Sequence, residues 1–459
     1  MLRFFIFRKF GTVLIEYLML AGLIFGSSFL YLQISFSMHP NPALATFKAL
    51  MIALIFQIFL HLCDAYDFRK TRALFVDLIH VAKALVLASL TLWCMNFLFP
   101  HILIGHGAIT YILVASSVFL MIWHAALRFY YKIRPPSSNI VVLGTGRLAR
   151  DLVREIIRRP ELGIGVSGFL GDDPALVGVS IVNPKVIGLY NDLSQIISRK
   201  KVTQIVVELQ DRRGRLPINE LLKHKTNHIR VEEAASLYEG VTGKIAVENM
   251  KPSWMIFNPG FDISKRHVAA KQSLSVIFTL IALLILSPVI LIVMVLIKLD
   301  SPGPIFFKQE RVGRDGKTFT LWKFRSMHLD AESETGPVWA AKDDPRVTRV
   351  GRFLRRSRLD EVPQLYNILR GEMCLIGPRP ERPTFVNELS ETIPYYQIRL
   401  TVRPGLTGWA QINHQYANSV EDSLEKLQYD LFYIKHMSIV LDVIIAFETI
   451  KTILVRPGS

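Results

Sequence analysis

At 459 residues the chain has room for roughly two to four domains, and 51% hydrophobic residues with a mean hydropathy of +0.32 exclude an ordinary soluble protein. The formal charge of +16 raises nucleic acid as a partner, but no recognition motif accompanies it. Lys and Arg gathered in cytoplasmic loops and against anionic lipid account for the charge, so no nucleic-acid partner is expected. Three isolated cysteines, Cys63, Cys94 and Cys374, with no CxxC, HExxH or paired Cys/His spacing, support neither a disulfide framework nor a zinc site.

Four apolar runs, at about 12–35, 45–63, 77–99 and 105–127, are each long enough to cross a hydrocarbon core of ~30 Å as a helix. The first lacks a small-residue cleavage site and reads as an anchor, not a cleaved signal. Arg3, Arg8 and Lys9 precede it, Arg69, Lys70 and Arg72 follow the second run, and Arg128, Lys132 and Arg134 follow the fourth. The positive-inside rule therefore puts both ends of a four-helix transmembrane domain, 1–134, in the cytoplasm. Glu16 and Lys83 interrupt their runs; snorkelling toward an interface is the expected account, a buried polar contact the alternative.

Pro135-Pro136-Ser137-Ser138 is a linker by composition. Strand-like pieces at Asn139–Leu143, Gly163–Leu170, Lys185–Gly188, Gln204–Glu208 and Ile229–Glu232 alternate with helical stretches, which predicts a small, mainly parallel α/β domain at 139–250. Its first turn, Gly144-Thr-Gly146-Arg-Leu-Ala149, has the two glycines and an allowed alanine of a dinucleotide fingerprint. The acidic residue expected about twenty positions on is not cleanly placed, since Asp172 and Asp173 come late. A lone fingerprint is weak, so Gly144, Gly146 and Ala149 stand as a possible nucleotide loop beside a structural or oligomerisation role.

A fifth apolar run, 274–297, has basic flanks on both sides: Lys265, Arg266 and Lys271 before it, Lys298, Lys308, Arg311 and Arg314 after it. Ser287-Pro288 sits inside it, where proline removes the hydrogen bond to the Leu284 carbonyl and Ser287 can satisfy the freed acceptor. A broken, re-entrant helix that enters and leaves on one face reconciles both facts; an ordinary kinked crossing is the alternative. The last apolar stretch, Ser438–Val455, carries Asp442, Glu448 and Lys451 and reads as an amphipathic helix on the membrane or on the adjoining domain.

Between these lies Ser357-Arg-Leu-Asp360-Glu361-Val-Pro-Gln-Leu. Pro363 suits the first position of a short helix, Pro363–Arg370, with Gly371 as its stop. Asp360 and Glu361 would then lie at its positive end beside Arg355, Arg356 and Arg358. An ionised Asp against a phosphorus atom can act as a nucleophile, and a neighbouring Glu can ligate Mg²⁺. Lys323 and Arg325 share a face if their segment is extended. Gly377-Pro378-Arg379-Pro380 is a rigid turn offering one guanidinium to a phosphate. Arg399 and Arg403 precede another stiff loop, Pro404–Gln411. Taken singly, each piece also reads as solvated basic surface.

Together, from about Lys265 to Ser459, these pieces resemble the bacterial sugar transferase family, the monotopic polyprenyl-phosphate phosphoglycosyl transferases. The resemblance rests on Ser287-Pro288, Ser301–Pro304 with Gln309, Arg311 and Gly313, Lys323–Met327, Asp344–Thr348, Leu359–Leu365, Gly377–Pro380, Pro404–Gln411 and Lys426–Tyr433. The full chain is similar to the large members that start exopolysaccharide or O-antigen synthesis, and Arg230–Gly260 resembles transferases associated with exosortase systems. The resemblance implies an inner-membrane enzyme, catalytic on the cytoplasmic face, with a mixed α/β catalytic domain at 265–459 anchored by the re-entrant helix. It would move a sugar-1-phosphate, of glucose or galactose first and N-acetylated sugars next, from a UDP-sugar to undecaprenyl phosphate with release of UMP. Asp360 matches the nucleophile and Glu361 its Mg²⁺-associated partner. Arg379 and Arg355 match phosphate-handling positions, Lys323 and Arg325 are further charge stabilisers, and Arg399 and Arg403 are phosphate-binding candidates. Membrane lipid is an expected partner and a homodimer a plausible one. The competing readings are a nucleotide-binding membrane scaffold and an NAD-dependent sugar-modifying enzyme centred on the Gly144 loop.

Overall fold

A computed structural model describes residues 2–36, 41–66, 74–98, 106–133, 137–159, 162–208, 217–250, 260–261, 264–328, 346–414 and 419–455. Arg69, Lys70, Arg72, Arg134, Pro135, Pro136 and Asp344 lie outside the described residues, as do 251–259 of the exosortase-like stretch. The chain forms two compact units that divide between Thr242 and Gly243. Residues 243–250, read from sequence as the end of the α/β domain, thus fall in the second unit.

In the first unit, α1 (Leu2–Phe36), α2 (Pro42–Leu62), α3 (Leu74–Leu98) and α4 (His106–Ile133) pack as a four-helix bundle, each against its sequence neighbour and α1 against α4. Each contains a segment long and apolar enough to cross a membrane. Leu20, Ile24, Ile52, Phe56, Leu60, Leu92, Ile112 and Leu120 fill the interior, with Ala49, Ala53, Ala84 and Ala88 allowing close helix approach. Lys83 is exposed, as snorkelling requires.

Glu16 corrects its expectation: it is fully buried. Its Oε1 accepts from Tyr66 OH (2.7 Å) and Gln57 Nε2 (3.3 Å), its Oε2 from Trp123 Nε1 (3.1 Å), and His124 Nε2 lies 3.5 Å away. Donors up to about a hundred residues away along the chain supply what water would have supplied at an interface. No local pattern around Glu16 announces them.

The same unit holds a five-stranded parallel sheet in the order β3-β2-β1-β4-β5: β1 (Ser138–Leu143), β2 (Ile164–Gly171), β3 (Val186–Leu189), β4 (Gln204–Val207) and β5 (Arg230–Glu233). Helices α5 (Arg147–Ile157), α6 (Leu193–Lys200), α7 (Ile218–Thr226) and α8 (Ala234–Thr242) follow β1, β3, β4 and β5. The order reverses at β1, which opens a switch-point crevice beyond the carboxyl ends of β1 and β4. Val141, Leu143, Leu170, Leu193 and Ile205 form the core on one side of the sheet.

The second unit is built around α9 (Lys265–Asp300), one 36-residue helix with Pro288 inside. Ser287 Oγ donates to Leu284 O at 2.8 Å, replacing the bond that proline removes. An antiparallel hairpin, β6 (Phe306–Val312) and β7 (Thr318–Phe324), follows α9. Then come α10 (Arg349–Ser357), α11 (Gln364–Leu369), β8 (Cys374–Ile376), α12 (Pro383–Thr392) and β9 (Gly405–Thr407), with β8 and β9 pairing in parallel. Helices α13 (Trp409–Asn413), α14 (Val420–Lys435) and α15 (Ile439–Val455) close the unit.

Both halves of α9 bond to this one unit. Before Pro288, Lys271 Nζ pairs with Asp442 Oδ2 (3.0 Å) and Gln272 Nε2 donates to Ile368 O (3.3 Å). After it, Asp300 Oδ2 accepts from Val350 N (3.1 Å), and Val293 and Ile297 pack with Phe324 and Leu354. Between these anchors Leu284, Ile285, Leu291 and Ile292 are left exposed, at 59–77% of their full surface.

Candidate active site

The dyad is positioned by a change of chain direction. Thr348 caps α10, its Oγ1 accepting from Gly351 N at 2.9 Å. A Cβ on Gly351 would lie 2.0 Å from Ser326 O, so glycine lets the helix sit directly on that backbone. From there Arg355 Nε reaches Ser326 Oγ at 3.1 Å. Arg358 ends α10 in the left-handed region (φ 58°), and Leu359–Glu361 form a 3₁₀ turn. The short helix expected at Pro363–Arg370 is shorter at both ends, with Pro363 as cap and Gly371 (φ 76°) just beyond its stop. The dyad therefore sits in the turn ahead of α11 and not in its first turn.

Asp360 and Glu361 are both buried, at 8% and 9% exposure, yet they are held differently. Glu361 Oε1 accepts from Arg379 Nη2 at 2.7 Å and from Lys323 Nζ at 3.3 Å. Burial alone would raise the Glu361 carboxyl; the Arg379 and Lys323 charges outweigh it and hold it well below the usual carboxylate range. No described residue donates a hydrogen bond to Asp360. Burial, and then the Glu361 charge, push its pKa up against the opposing pull of Lys323, Arg355 and Arg379. Burial likewise lowers Lys323. One carboxylate is thus a fixed, ionised partner, and the other has unclaimed oxygens amid three cations.

Arg379 is aimed by a turn whose successive carbonyls are each gripped. Pro378 O accepts from Gly405 N (2.9 Å), Arg379 O from Arg399 Nη2 (3.0 Å), Pro380 O from Arg311 Nη1 (3.0 Å) and Glu381 O from Val312 N (2.9 Å). Arg399 is itself buried between Asp430 Oδ2 (2.9 Å) and Tyr396 OH (2.6 Å). Glu381 pairs with Lys426 and with Arg311 (3.5 Å); burial works against its charge, but Lys426 and Arg399 bring its pKa down to about 2.

Of the residues singled out from sequence, Lys323 and Arg379 bond Glu361, and the charges of Lys323, Arg355 and Arg379 act on Asp360. The others are elsewhere. Strand β7 stops at Phe324, and Arg325 turns away to Ser301 O (2.6 Å), Ser301 Oγ (2.9 Å) and Pro302 O (2.8 Å), tying down the end of α9. Arg399 supports the Arg379 turn from within. Arg403 donates to Gln272 Oε1 (3.2 Å) and lines a separate cavity of about 410 Å³ with Lys265, Lys271 and Cys374. Sequence reasoning left out Glu381, Tyr396 and Asp430 as members of the site. Glu381 is signalled only by adjacency to the Pro-Arg-Pro turn and Asp430 only by its place within Lys426–Tyr433, Tyr396 has no such signal, and none of these reveals the pairing.

The Gly144 loop opens α5, with Gly146 as its cap. Gly146 N donates to Glu208 Oε2 at 3.0 Å, and a Cβ on Gly146 would meet Glu208 Oε1 at 2.3 Å. A Cβ on Gly144 (φ 115°) would lie 1.9 Å from Glu208 O.

Two family models match the chain: one described as bacterial sugar transferase over residues 266–456, the other as a CoA-binding domain over 61–230. The UDP-N-acetylgalactosamine-undecaprenyl-phosphate N-acetylgalactosaminephosphotransferase of Aeromonas hydrophila is 41% identical over 232 residues, 50% of this chain and 54% of that protein. The UDP-glucose:undecaprenyl-phosphate glucose-1-phosphate transferase of Xanthomonas campestris is 32% identical over 332 residues, 69% of this chain and 66% of that one. An uncharacterized sugar transferase of Haemophilus influenzae is 30% identical over 343 residues, 70% of each chain. The match thus spans about half the length of the Aeromonas relative and about two thirds of the others. With the catalytic-unit motifs and a multi-pass membrane architecture in place, the chain belongs to the bacterial sugar transferase family.

Proposed function

We propose that the protein transfers a sugar-1-phosphate from a UDP-sugar to undecaprenyl phosphate and so begins synthesis of a polysaccharide. The observation that carries this reading is the division within the dyad, with Glu361 paired to Arg379 and Lys323 while no described residue hydrogen-bonds Asp360. A carboxylate oxygen of Asp360 attacks the sugar-linked phosphorus, the phosphorus–oxygen bond to UMP breaks, and UMP leaves with that electron pair. An oxygen of undecaprenyl phosphate then attacks the same phosphorus and releases Asp360. Lys323, Arg355 and Arg379 face the charge that develops on the phosphoryl oxygens, in a buried setting where fixed cations act strongly.

The two dyad carboxylates suit Mg²⁺, which takes one or two carboxylates together with substrate phosphates. Asp360 and Glu361 Oε2 carry no hydrogen bond from a described residue, so they are the atoms available to hold it. When bound, the ion would offset the donor diphosphate charge.

The re-entrant reading of α9 draws support from its two anchors. Lys271 and Asp300 would be about 44 Å apart along a straight helix, and a crossing would part them to opposite faces. Both instead bond to one folded unit, with an exposed apolar stretch between them. That arrangement, with basic flanks on both sides, supports a catalytic unit on the cytoplasmic face of the inner membrane, at the depth of a lipid phosphate. Glucose and galactose are the first donors to try and N-acetylated sugars the next, since the Aeromonas and Xanthomonas relatives are named for different sugars. The test is UMP release from a panel of UDP-sugars with undecaprenyl phosphate and Mg²⁺, wild type against Asp360→Asn.

A further inference from the structure

The glycine loop of the α/β domain has the form of a nucleotide site. It follows the first strand, opens α5, and borders the crevice where the strand order reverses. In that form the glycines let a diphosphate approach the backbone and the helix amides receive its charge. CoA, a dinucleotide or ATP would each need that place for a phosphate.

Here a side chain of the domain already fills it. Glu208 directly follows β4, and its amide bonds Leu143 O at 2.7 Å, which draws the residue against the carboxyl end of β1. Its carboxylate lies over the loop with Oε2 on Gly146 N, and the residue is 9% exposed. The space that a glycine at 146 leaves open is the space the Glu208 carboxyl group occupies. Gly144 is required for the same reason, since its missing Cβ admits the Glu208 carbonyl.

We propose that Glu208 is a built-in occupant of this loop, a carboxylate in place of a phosphate, so that the domain keeps its glycine fingerprint without binding CoA, a dinucleotide or ATP. The fingerprint serves an internal contact: it lets β4 close on β1 and gives the exposed amide at the start of α5 an acceptor. The missing acidic residue in the ribose position agrees with this, as Asp173 instead caps a local turn by accepting from Ala175 N at 2.9 Å. Burial raises the Glu208 pKa, with the Gly146 amide and then Arg150 opposing it.

Equilibrium dialysis of the full-length protein in detergent against CoA, NAD⁺ and ATP tests this without recourse to transferase turnover. No saturable binding is expected at concentrations up to about 1 mM; saturation by any of the three in the micromolar range would overturn the proposal. A second measurement needs no ligand. Gly146→Ala is expected to lower the melting temperature of the ligand-free α/β domain by roughly 5 °C or more, and adding Glu208→Ala to recover most of that loss. A ligand-free protein indifferent to Gly146→Ala would contradict the contact, because a glycine kept only for a nucleotide matters only when one is bound.

Discussion

Arg379 Nη2 lies 2.7 Å from Glu361 Oε1, and that pairing makes Glu361 a fixed anion beside Asp360, which no described residue hydrogen-bonds. Arg379→Ala removes both a cation proposed to face substrate and the 2.7 Å partner of Glu361. Loss of one such donor is expected to lower kcat about 10²–10³-fold. Arg379→Lys keeps the charge but not the planar fork, and should recover only part of the rate. Steady-state UMP release by the two variants checks this.

The proposed mechanism uses Asp360 as the carboxylate, and burial together with Glu361 raises its pKa above the ordinary value of 3.8. Activity should therefore fall on acidification at a higher pH than a solvated aspartate would give. Arg355 pulls that pKa down, so Arg355→Gln should move the acid limb of kcat/KM to still higher pH. A pH–rate profile with an unmoved acid limb would remove Arg355 from the site.

Arg399 and Asp430 are both nearly fully buried. Arg399→Met leaves an unpaired carboxylate in the interior and frees the Arg379 carbonyl. A loss of about 3–5 kcal/mol is expected, read as a lower unfolding temperature of the purified protein. Arg399→Met with Asp430→Asn should be milder, since no buried charge is then stranded.

Glu381 has a folded pKa of about 2 against 4.5 for the unfolded chain. A depressed carboxylate contributes stability that is fully present above pH 4.5 and is lost as pH falls through that window toward 2. Glu381→Gln should thus cost on the order of 3 kcal/mol at pH 7 and almost nothing near pH 2. Unfolding curves of the two proteins across that range should converge on acidification.

Within the membrane bundle, Glu16→Leu would take the acceptor from Trp123 Nε1 and leave Tyr66 OH and Gln57 Nε2 with only Gln57 Oε1 (2.9 Å) and Val13 O (3.4 Å). A loss of about 2 kcal/mol or more is expected from the unsatisfied groups, measured by thermal unfolding in detergent. Turnover per folded molecule should change little.

Much of this architecture could be read in the residues, and the reasons are local. The runs that became α1 to α4 are long and apolar, and the five strands of the α/β sheet show as short apolar pieces between turns. Ser287 was read as the replacement donor for the Leu284 carbonyl because both lie within one helical turn of Pro288. Asp360 and Glu361 stood out by adjacency. What stayed hidden depends on contacts distant in sequence. Glu16 finds Trp123 from across the bundle, Arg399 finds Asp430, and Glu208 finds Gly146. The fingerprint alone left the Gly144 loop open between a nucleotide and a structural role, because a motif does not show a carboxylate arriving from about sixty residues away. The same blindness placed Arg325 beside Lys323, although β7 ends between them and Arg325 serves the end of α9.

The measurement that bears most directly on the central claim is UMP release by the purified protein, presented with undecaprenyl phosphate, Mg²⁺ and a panel of UDP-sugars. The account predicts release with at least one donor and its abolition in Asp360→Asn, with the variant folded as judged by its melting temperature. Release that persists in Asp360→Asn would contradict the assignment of Asp360 as the attacking group.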